Sequence, residues 1–514
     1  MTSNMPNTAT TTFDIIIVGA GLGGINAAYR LQKQLPHLSY AILESRDEIG
    51  GTWDLFRYPG IRSDSDLHTF GFAWKPWDQP SPIGQGAEIL DYMKEGAAQH
   101  GIDQHIHLSR RLRSASWSSG KQRWTLTVDD KSNGETKKTL YFARFILLCT
   151  GYFNHDQALE TEIPGLENFK GQVVHPQFWP EDLDYTDKRV VVIGSGATAI
   201  TLVPALAEKA ALTTMLQRSP SYVVEIPSNR AGRGSWLSRL LPTWMVHSWR
   251  RLTSMLWSRY IFLTCQAYPD KARKRLIGML EGKLPPHLPI DPHFSPSYYP
   301  YDQRVTLTPD GVFFKCLRSG KADVKTAVIK NVVADGIQVI NADSKDSPDK
   351  HDQFIPADII VTATGLKLRL AGGATFDVDG KPVNPSNQLL WMGSMLQGMP
   401  NLGLLLGYTS ISYTLGLDAA VLIFCRVVRM MERKRMATVT PRVEPGVTLS
   451  LKPYDNLTAT YVLKGIDVPP KVADKAPWLP RSSILSDYWA AHFGRIDKCL
   501  DMVKAEDSQK KKTS

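Results

Sequence analysis

Two glycine-rich turns carry the most chemistry in this chain. Gly19-Ala20-Gly21-Leu22-Gly23-Gly24 spells Gly-x-Gly-x-x-Gly directly after the apolar run 13–18, and Gly194-Ser195-Gly196-Ala197-Thr198-Ala199 spells Gly-x-Gly-x-x-Ala after the run 189–193. In such a turn the first glycine permits a tight bend. The second lets the backbone approach a pyrophosphate resting on a helix N-terminus, and the third lets helix and strand pack closely. Gly19, Gly21 and Gly24 fill these roles in the first motif; Gly194, Gly196 and Ala199, with Thr198 beside it, fill them in the second. Glu44 stands 20 residues after Gly24. A carboxylate at that distance accepts hydrogen bonds from ribose hydroxyls.

Placing the two motifs in register separates their ligands. The position equivalent to Glu44 in the second motif is Ser219, with Arg218 beside it. A carboxylate would repel a 2′-phosphate, whereas a guanidinium pairs with one. The second site is therefore expected to take NADP(H) rather than NAD(H), with Arg218 at the phosphate.

Both motifs need a strand before them and a helix after them. Phe-Asp-Ile-Ile-Ile-Val at 13–18 reads as a buried parallel strand, followed by a helix over 22–34 and a strand over 40–44. The same grammar returns as a strand over 189–193, a helix to about Ala207 and a strand over 212–217. From 221 to 329 proline breaks alternate with helix-like segments and strand signals fade; 358–364 is the next clear buried strand. The expected fold class is α/β, with two Rossmann-like dinucleotide-binding domains and a helical insertion. The first domain is expected to comprise 1–150 and 366–514, the second 151–220 and 330–365, and the insertion 221–329.

Composition narrows the alternatives. A length of 514 residues suits two or three domains. The formal charge of +10 fits phosphate-rich ligands, and no concentrated basic stripe points to nucleic acid. The five cysteines, 149, 265, 316, 425 and 499, form no Cys-x-x-Cys, so neither a zinc site nor a redox-active dithiol is expected. A sparse, odd count fits a reducing compartment. The polar start, Met1 to Thr12, does not read as a signal peptide, and no apolar run is long enough to span a bilayer. The expected location is cytoplasmic. Oligomeric state is not legible.

The stretch 226–269 carries a second expectation about location. It has no Asp or Glu but six Arg (230, 233, 239, 250, 251 and 259), interleaved with Trp236, Leu240, Leu241, Trp244, Trp249, Leu252, Met255, Leu256 and Trp257. Pro242 should divide it into two helices. The favoured reading has the apolar residues lining a pocket and the Arg side chains in water. Peripheral contact with a membrane is the alternative.

Between the two motifs, Phe169-Lys170-Gly171-Gln172-Val173-Val174-His175-Pro176-Gln177-Phe178-Trp179-Pro180 resembles the Phe-x-Gly-x-x-x-His-x-x-x-Trp-Pro fingerprint of Baeyer–Villiger monooxygenases, the class B flavin monooxygenases. Phe169, Gly171, His175, Trp179 and Pro180 match its fixed positions. Gly50-Gly51-Thr52-Trp53 is similar to the family's Gly-Gly-Thr-Trp stretch, which runs past the flavin; this favours FAD at the first site, with Gly51, Thr52 and Trp53 in contact. The loop 57–64 resembles Arg-Tyr-Pro-Gly-Ala-Arg-Cys-Asp, departing at Ile61 and Ser63, and ends on Asp64, which aligns with an acidic residue near the flavin. Tyr301-Asp302-Gln303-Arg304 is similar to the segment that delivers an active-site Arg, although Gln303 replaces a Lys. Thr150-Gly151 and Thr364-Gly365 look like inter-domain crossings, and 391–393 and 407–409 resemble the part closing over the flavin.

The resemblance implies a reaction. NADPH reduces FAD, O2 adds to give a C4a-peroxyflavin, and oxygen is inserted beside a ketone carbonyl to give an ester or lactone. Arg304 would stabilise the negative charge and Asp64 would orient and moderate it. His175 and the fingerprint would couple the domains. A sulfide is an alternative substrate. The rivals are an N- or S-oxygenating flavin monooxygenase, against which Trp179 argues, a dithiol flavin reductase, and a non-catalytic FAD-binding protein that would have no need of Arg304.

Overall fold

The computed structural model describes residues 11–79, 81–228, 241–341, 352–409, 411–455, 457–481 and 483–505. The first ten residues, Arg230, Arg233, Trp236, Arg239 and Leu240 of the basic stretch, and the lysine-rich tail lie outside these.

The first unit opens with strand β1 (Thr11–Val18), helix α1 (Leu22–Gln34) and strand β2 (Tyr40–Leu43). Ile15, Ile16, Ile17 and all of β2 are buried, as expected of strands covered on both faces. Short helices α2 (Thr52–Leu55) and α3 (Leu67–Phe70) and the longer α4 (Gly86–Gln99) follow. After the two-residue strand β3 (Ile106–His107) comes an antiparallel meander of β4 (Arg110–Ser118), β5 (Arg123–Asp130) and β6 (Lys137–Leu148). Its apolar residues alternate, so that Trp117 and Trp124 pair across strands on one buried face with rings 5.5 Å apart. β6 then lies parallel to β1.

The second unit repeats the plan. β7 (Gln172–Val174), β8 (Arg189–Ile193), helix α5 (Ala197–Leu206) and β9 (Leu212–Gln217) come first. β10 (Val223–Ile226), helices α6 (Thr243–Ala267) and α7 (Pro269–Gly278), and β11 (Thr306–Pro309) follow. β12 (Ala322–Val333), β13 (Gly336–Asn341), β14 (Gln353–Pro356) and β15 (Ile359–Thr362) complete a seven-stranded sheet in the order β14-β13-β12-β9-β8-β15-β7. The chain returns to the first sheet through β16 (Thr375–Val378) and β17 (Lys381–Val383), giving the order β17-β16-β4-β5-β6-β1-β2-β3 with three short strands beside it. The buried helix Tyr413–Arg433 packs on α1, where Asp418 receives Arg30 (2.8 Å) and Asn26 (3.0 Å).

Segment 221–329 is not wholly helical. β10 and β11 pair in parallel, and β12 crosses the 329/330 boundary to join β9. Both pairings are long-range, which local periodicity does not register. After Pro242 the chain forms a single helix, α6, of 25 residues, because the proline sits at its N-cap. Its polarity is the reverse of the favoured reading: Arg251 points inward to the carbonyls of His68, Thr69 and Gly71 (2.9–3.2 Å), while Trp244, Trp249 and Trp257 are exposed. Among the described residues, no helix is long and apolar enough to cross a membrane.

Candidate functional site

A deep cleft runs along the C-terminal edge of the first sheet. Gly19, Gly21, Glu44, Gly51, Thr52, Trp53, Thr150, Gly151, Tyr152 and Arg304 all face it. Its floor is the first glycine turn. Gly19 has φ +105°, a conformation that a side chain would strain, and a Cβ there would stand 2.7 Å from the Cys149 carbonyl oxygen. Gly24 presses against the Gly19 carbonyl with no room for a Cβ. Gly21 differs: a Cβ there meets no protein atom nearer than the Gly51 Cα, at 4.0 Å. Gly21 also caps α1 without any side-chain hydrogen bond at the cap. Two glycine backbones thus wall a slot at a bare helix N-terminus, a cradle for a pyrophosphate.

Glu44 is buried at one end of the slot. Its Oε2 accepts from the Ala20 amide (2.7 Å) and its Oε1 from the Arg46 amide (2.9 Å). These bonds fix the carboxylate at the glycine turn and leave lone pairs for ribose hydroxyls. Several lining residues were not picked out from the sequence. Arg110, Arg111, His155, Asp156 and Arg369 line the cleft, and Asp156 bridges Arg111 (3.0 Å) and Arg369 (2.6 Å). Burial, with Arg46 nearby, holds His155 down to about 4, so it is neutral at pH 7. The slot, the ribose acceptor and the basic wall together fit FAD.

The second glycine turn has the same build. Gly194 has φ +136° and lies against the Ala363 carbonyl; Gly196 caps α5 with no side-chain hydrogen bond, and a Cβ on it would meet nothing within 4 Å. Ala199, in the third glycine position, is fully buried in the core of the second unit. Thr198 lies at the first turn of α5. Ser195 Oγ donates to the Ser219 carbonyl (2.7 Å), closing the turn onto the end of β9. Arg218 is exposed there and forms no ion pair among the described residues. An open helix N-terminus with a free guanidinium at the strand end fits a dinucleotide carrying a 2′-phosphate.

The loop 57–64 joins the two sites. Tyr58 hydrogen-bonds Thr198 and packs into the second core. A Cβ on Gly60 would stand 3.0 Å from Ala205 Cβ of α5, so the loop lies flat on that helix. Arg57 pairs with Glu181 (2.7 Å), the residue after the fingerprint, and Arg62 Nη2 donates to the Leu307 carbonyl (3.2 Å). Asp64 ends the loop between Arg62 and Arg304. Burial pushes its carboxyl above the usual carboxylate range, and the two guanidiniums offset this only in part. Asp64 Oδ1 and Arg62 Nε are buried without hydrogen-bond partners among the described residues.

Arg304 precedes β11 and stands deep inside the molecule, yet its side chain is exposed because it faces the cleft rather than a packing partner. Burial lowers its pKa, but Tyr152, Tyr461, Asp64 and Asp455 outweigh that and hold the net shift upward. Of these, the two carboxyl groups are the ones that matter at neutral pH, since phenols are uncharged there. The guanidinium is therefore always positive.

The fingerprint is more than a connector. β7 lies within it and forms the edge of the second sheet, parallel to β15. Gly171 abuts the Asp358 carbonyl, Phe169 is buried, and Trp179 packs on the second core next to Tyr185 and is followed by Pro180. His175 Nδ1 accepts from the Gln177 amide (3.2 Å). Among the described residues its buried Nε2 has no well-formed partner, and the Gly365 backbone at the inter-domain crossing is its polar neighbour. None of the fingerprint residues is among those lining the cleft.

Residues 74–241 match the model of the flavin-binding monooxygenase-like family, and 17–79 match an NAD(P)-binding Rossmann-like domain. The FAD-containing monooxygenase EthA of Mycobacterium tuberculosis is 42% identical over 485 residues, covering 94% of this chain and 96% of EthA. The chain belongs to this family of flavin-binding monooxygenases. A steroid monooxygenase bound to NADP has the same fold, with a TM-score of 0.71 at 19% identity over 96% of this chain and 100% of that one. So does the NADP+-bound cyclohexanone monooxygenase of a Rhodococcus species, with a TM-score of 0.68 at 19% identity over 97% and 100%. The class B flavin monooxygenase resemblance in the fingerprint and the α/β fold with Rossmann-like units are both borne out.

Proposed function

We propose that this enzyme is a Baeyer–Villiger monooxygenase: ketone, O2, NADPH and a proton give an ester or lactone, NADP+ and water. FAD occupies the cleft of the first glycine turn and NADPH the second. The observation that carries the reading is Arg304, a permanently charged guanidinium at the cleft wall with Asp64 behind it. A flavin-binding protein without this chemistry has no use for a charge held at such a place.

The bound flavin supplies hydride acceptance and oxygen activation. The chain supplies the rest. Arg304 would stabilise the negative charge that develops on the carbonyl oxygen under attack, as a preorganised cation does once bound cofactor and substrate exclude water. Asp64 positions Arg304 and tempers its charge. Phe70, Leu405, Tyr413 and Leu417 wall the cleft with apolar surface and exclude water. Beyond Tyr152, Leu368, Leu406, Val462 and Ile466 add apolar surface beside Asp455 and Tyr461, next to Arg304. Incubating the enzyme with NADPH, O2 and a panel of linear, cyclic and aryl ketones, then identifying products, tests the proposal. An ester or lactone in step with NADPH consumption supports it. Oxygenation of sulfides with no ketone turned over would assign the enzyme to S-oxygenation instead.

A further inference from the structure

The polarity of α6 is unusual for a surface helix. Arg251 turns inward and caps the carbonyl end of α3, and Arg259 lies 5.6 Å over the Phe262 ring. Its large apolar side chains turn outward. Met245, Trp249, Leu252, Leu256, Tyr260 and Leu263 are exposed at steps of four, three, four, four and three residues, a single stripe. Trp244 at 67% exposure and Trp257 at 58% flank it. From Met245 to Leu263 the stripe is roughly 27 Å long. The neighbouring helix Ile484–Phe493 joins α6 through Met255 and exposes Leu485, Trp489 and Phe493 one turn apart.

We infer that α6 docks this enzyme on an anionic lipid surface. Charge chooses between lipid and a second copy of the chain. No Asp or Glu occurs from 226 to 269, and α7, which follows directly, exposes Lys271, Lys274 and Arg275 against one exposed carboxylate, Asp270. A two-fold pairing of this face would bring identical basic patches together. An anionic bilayer meets both features, taking the tryptophans at the headgroup level and the basic residues against its phosphates. The inner face of α6 touches the reaction cleft's own walls: Phe262 lies edge-on to Tyr301 (5.3 Å), three residues before Arg304, and α3, held by Arg251, ends on the cleft residue Phe70. A docked α6 therefore sets the cleft next to the lipid.

The test uses the full-length, FAD-loaded protein and vesicles of pure phosphatidylcholine or of equal parts phosphatidylcholine and phosphatidylglycerol, sedimented at low and moderate salt. The protein should pellet with the anionic vesicles only, and less so as salt rises. Trp244→Ser with Trp249→Ser and Trp257→Ser should lower partitioning about tenfold or more, as should Lys271→Gln with Lys274→Gln and Arg275→Gln. These side chains are exposed, so thermal unfolding and FAD content should match the parent. Protein left in the supernatant throughout, or variants that pellet like the parent, would overturn the inference. So would a lipid-free dimer, seen by analytical ultracentrifugation, that the tryptophan variant converts to monomer, because the stripe would then be covered by a second copy.

Discussion

Gly21 and Gly51 face one another across the cleft: a Cβ on Gly51 would stand 3.5 Å from the Gly21 Cα, and one on Gly21 would stand 4.0 Å from the Gly51 Cα. The gap tolerates a methyl in the protein alone but not a methyl and a pyrophosphate together. Gly21→Val should therefore fold and purify with little FAD, whereas Gly196→Val should stay yellow and lose NADPH binding. Absorbance of the purified proteins checks both. If both variants retain flavin, the assignment of the two turns is wrong.

The proposed reading places Arg218 at the 2′-phosphate of NADPH. A charge-assisted hydrogen bond contributes about 1.5–3 kcal/mol, so Arg218→Ala should raise KM for NADPH about 10- to 100-fold. The effect on NADH should be small, narrowing the preference. An unchanged ratio of kcat/KM for the two cofactors would move the phosphate elsewhere.

Asp64 gives a pH signature. Its carboxyl titrates above the usual carboxylate range because burial outweighs Arg62 and Arg304. Below that pKa it is neutral and Arg304 loses its counter-charge, so activity should fall on the acid side at a pH above the ordinary Asp range. Asp64→Asn should lower kcat and abolish this acid limb. A variant retaining the parent's acid limb would show that another group titrates there.

Much of the geometry of the two glycine turns is local and was legible in the sequence. Glycines flanked by a buried strand and a helix fix the turn, and Glu44 follows from the length of α1. The helix over 22–34 and the strands over 189–193 and 212–217 have the expected bounds. The basic wall was not legible, because Asp156 and Arg369 are 213 residues apart and meet through tertiary packing. The meander β4–β5–β6 passed unnoticed although its residues alternate, since its pairing with β1 and β16 is long-range. In α6 the periodicity was visible but its sense was not: which face turns outward depends on the α3 carbonyls that Arg251 meets.

The central claim is oxygen insertion assisted by Arg304, and isotope labelling tests it most directly. The parent enzyme, given a ketone that it turns over, NADPH and 18O2, should yield an ester or lactone carrying one labelled atom, read by mass spectrometry. Arg304→Ala should bind FAD and be reduced by NADPH at a comparable rate, yet form labelled product about 10²–10³-fold more slowly. Labelled ester formed by the variant at the parent's rate, or no label in the parent's product, would contradict the account.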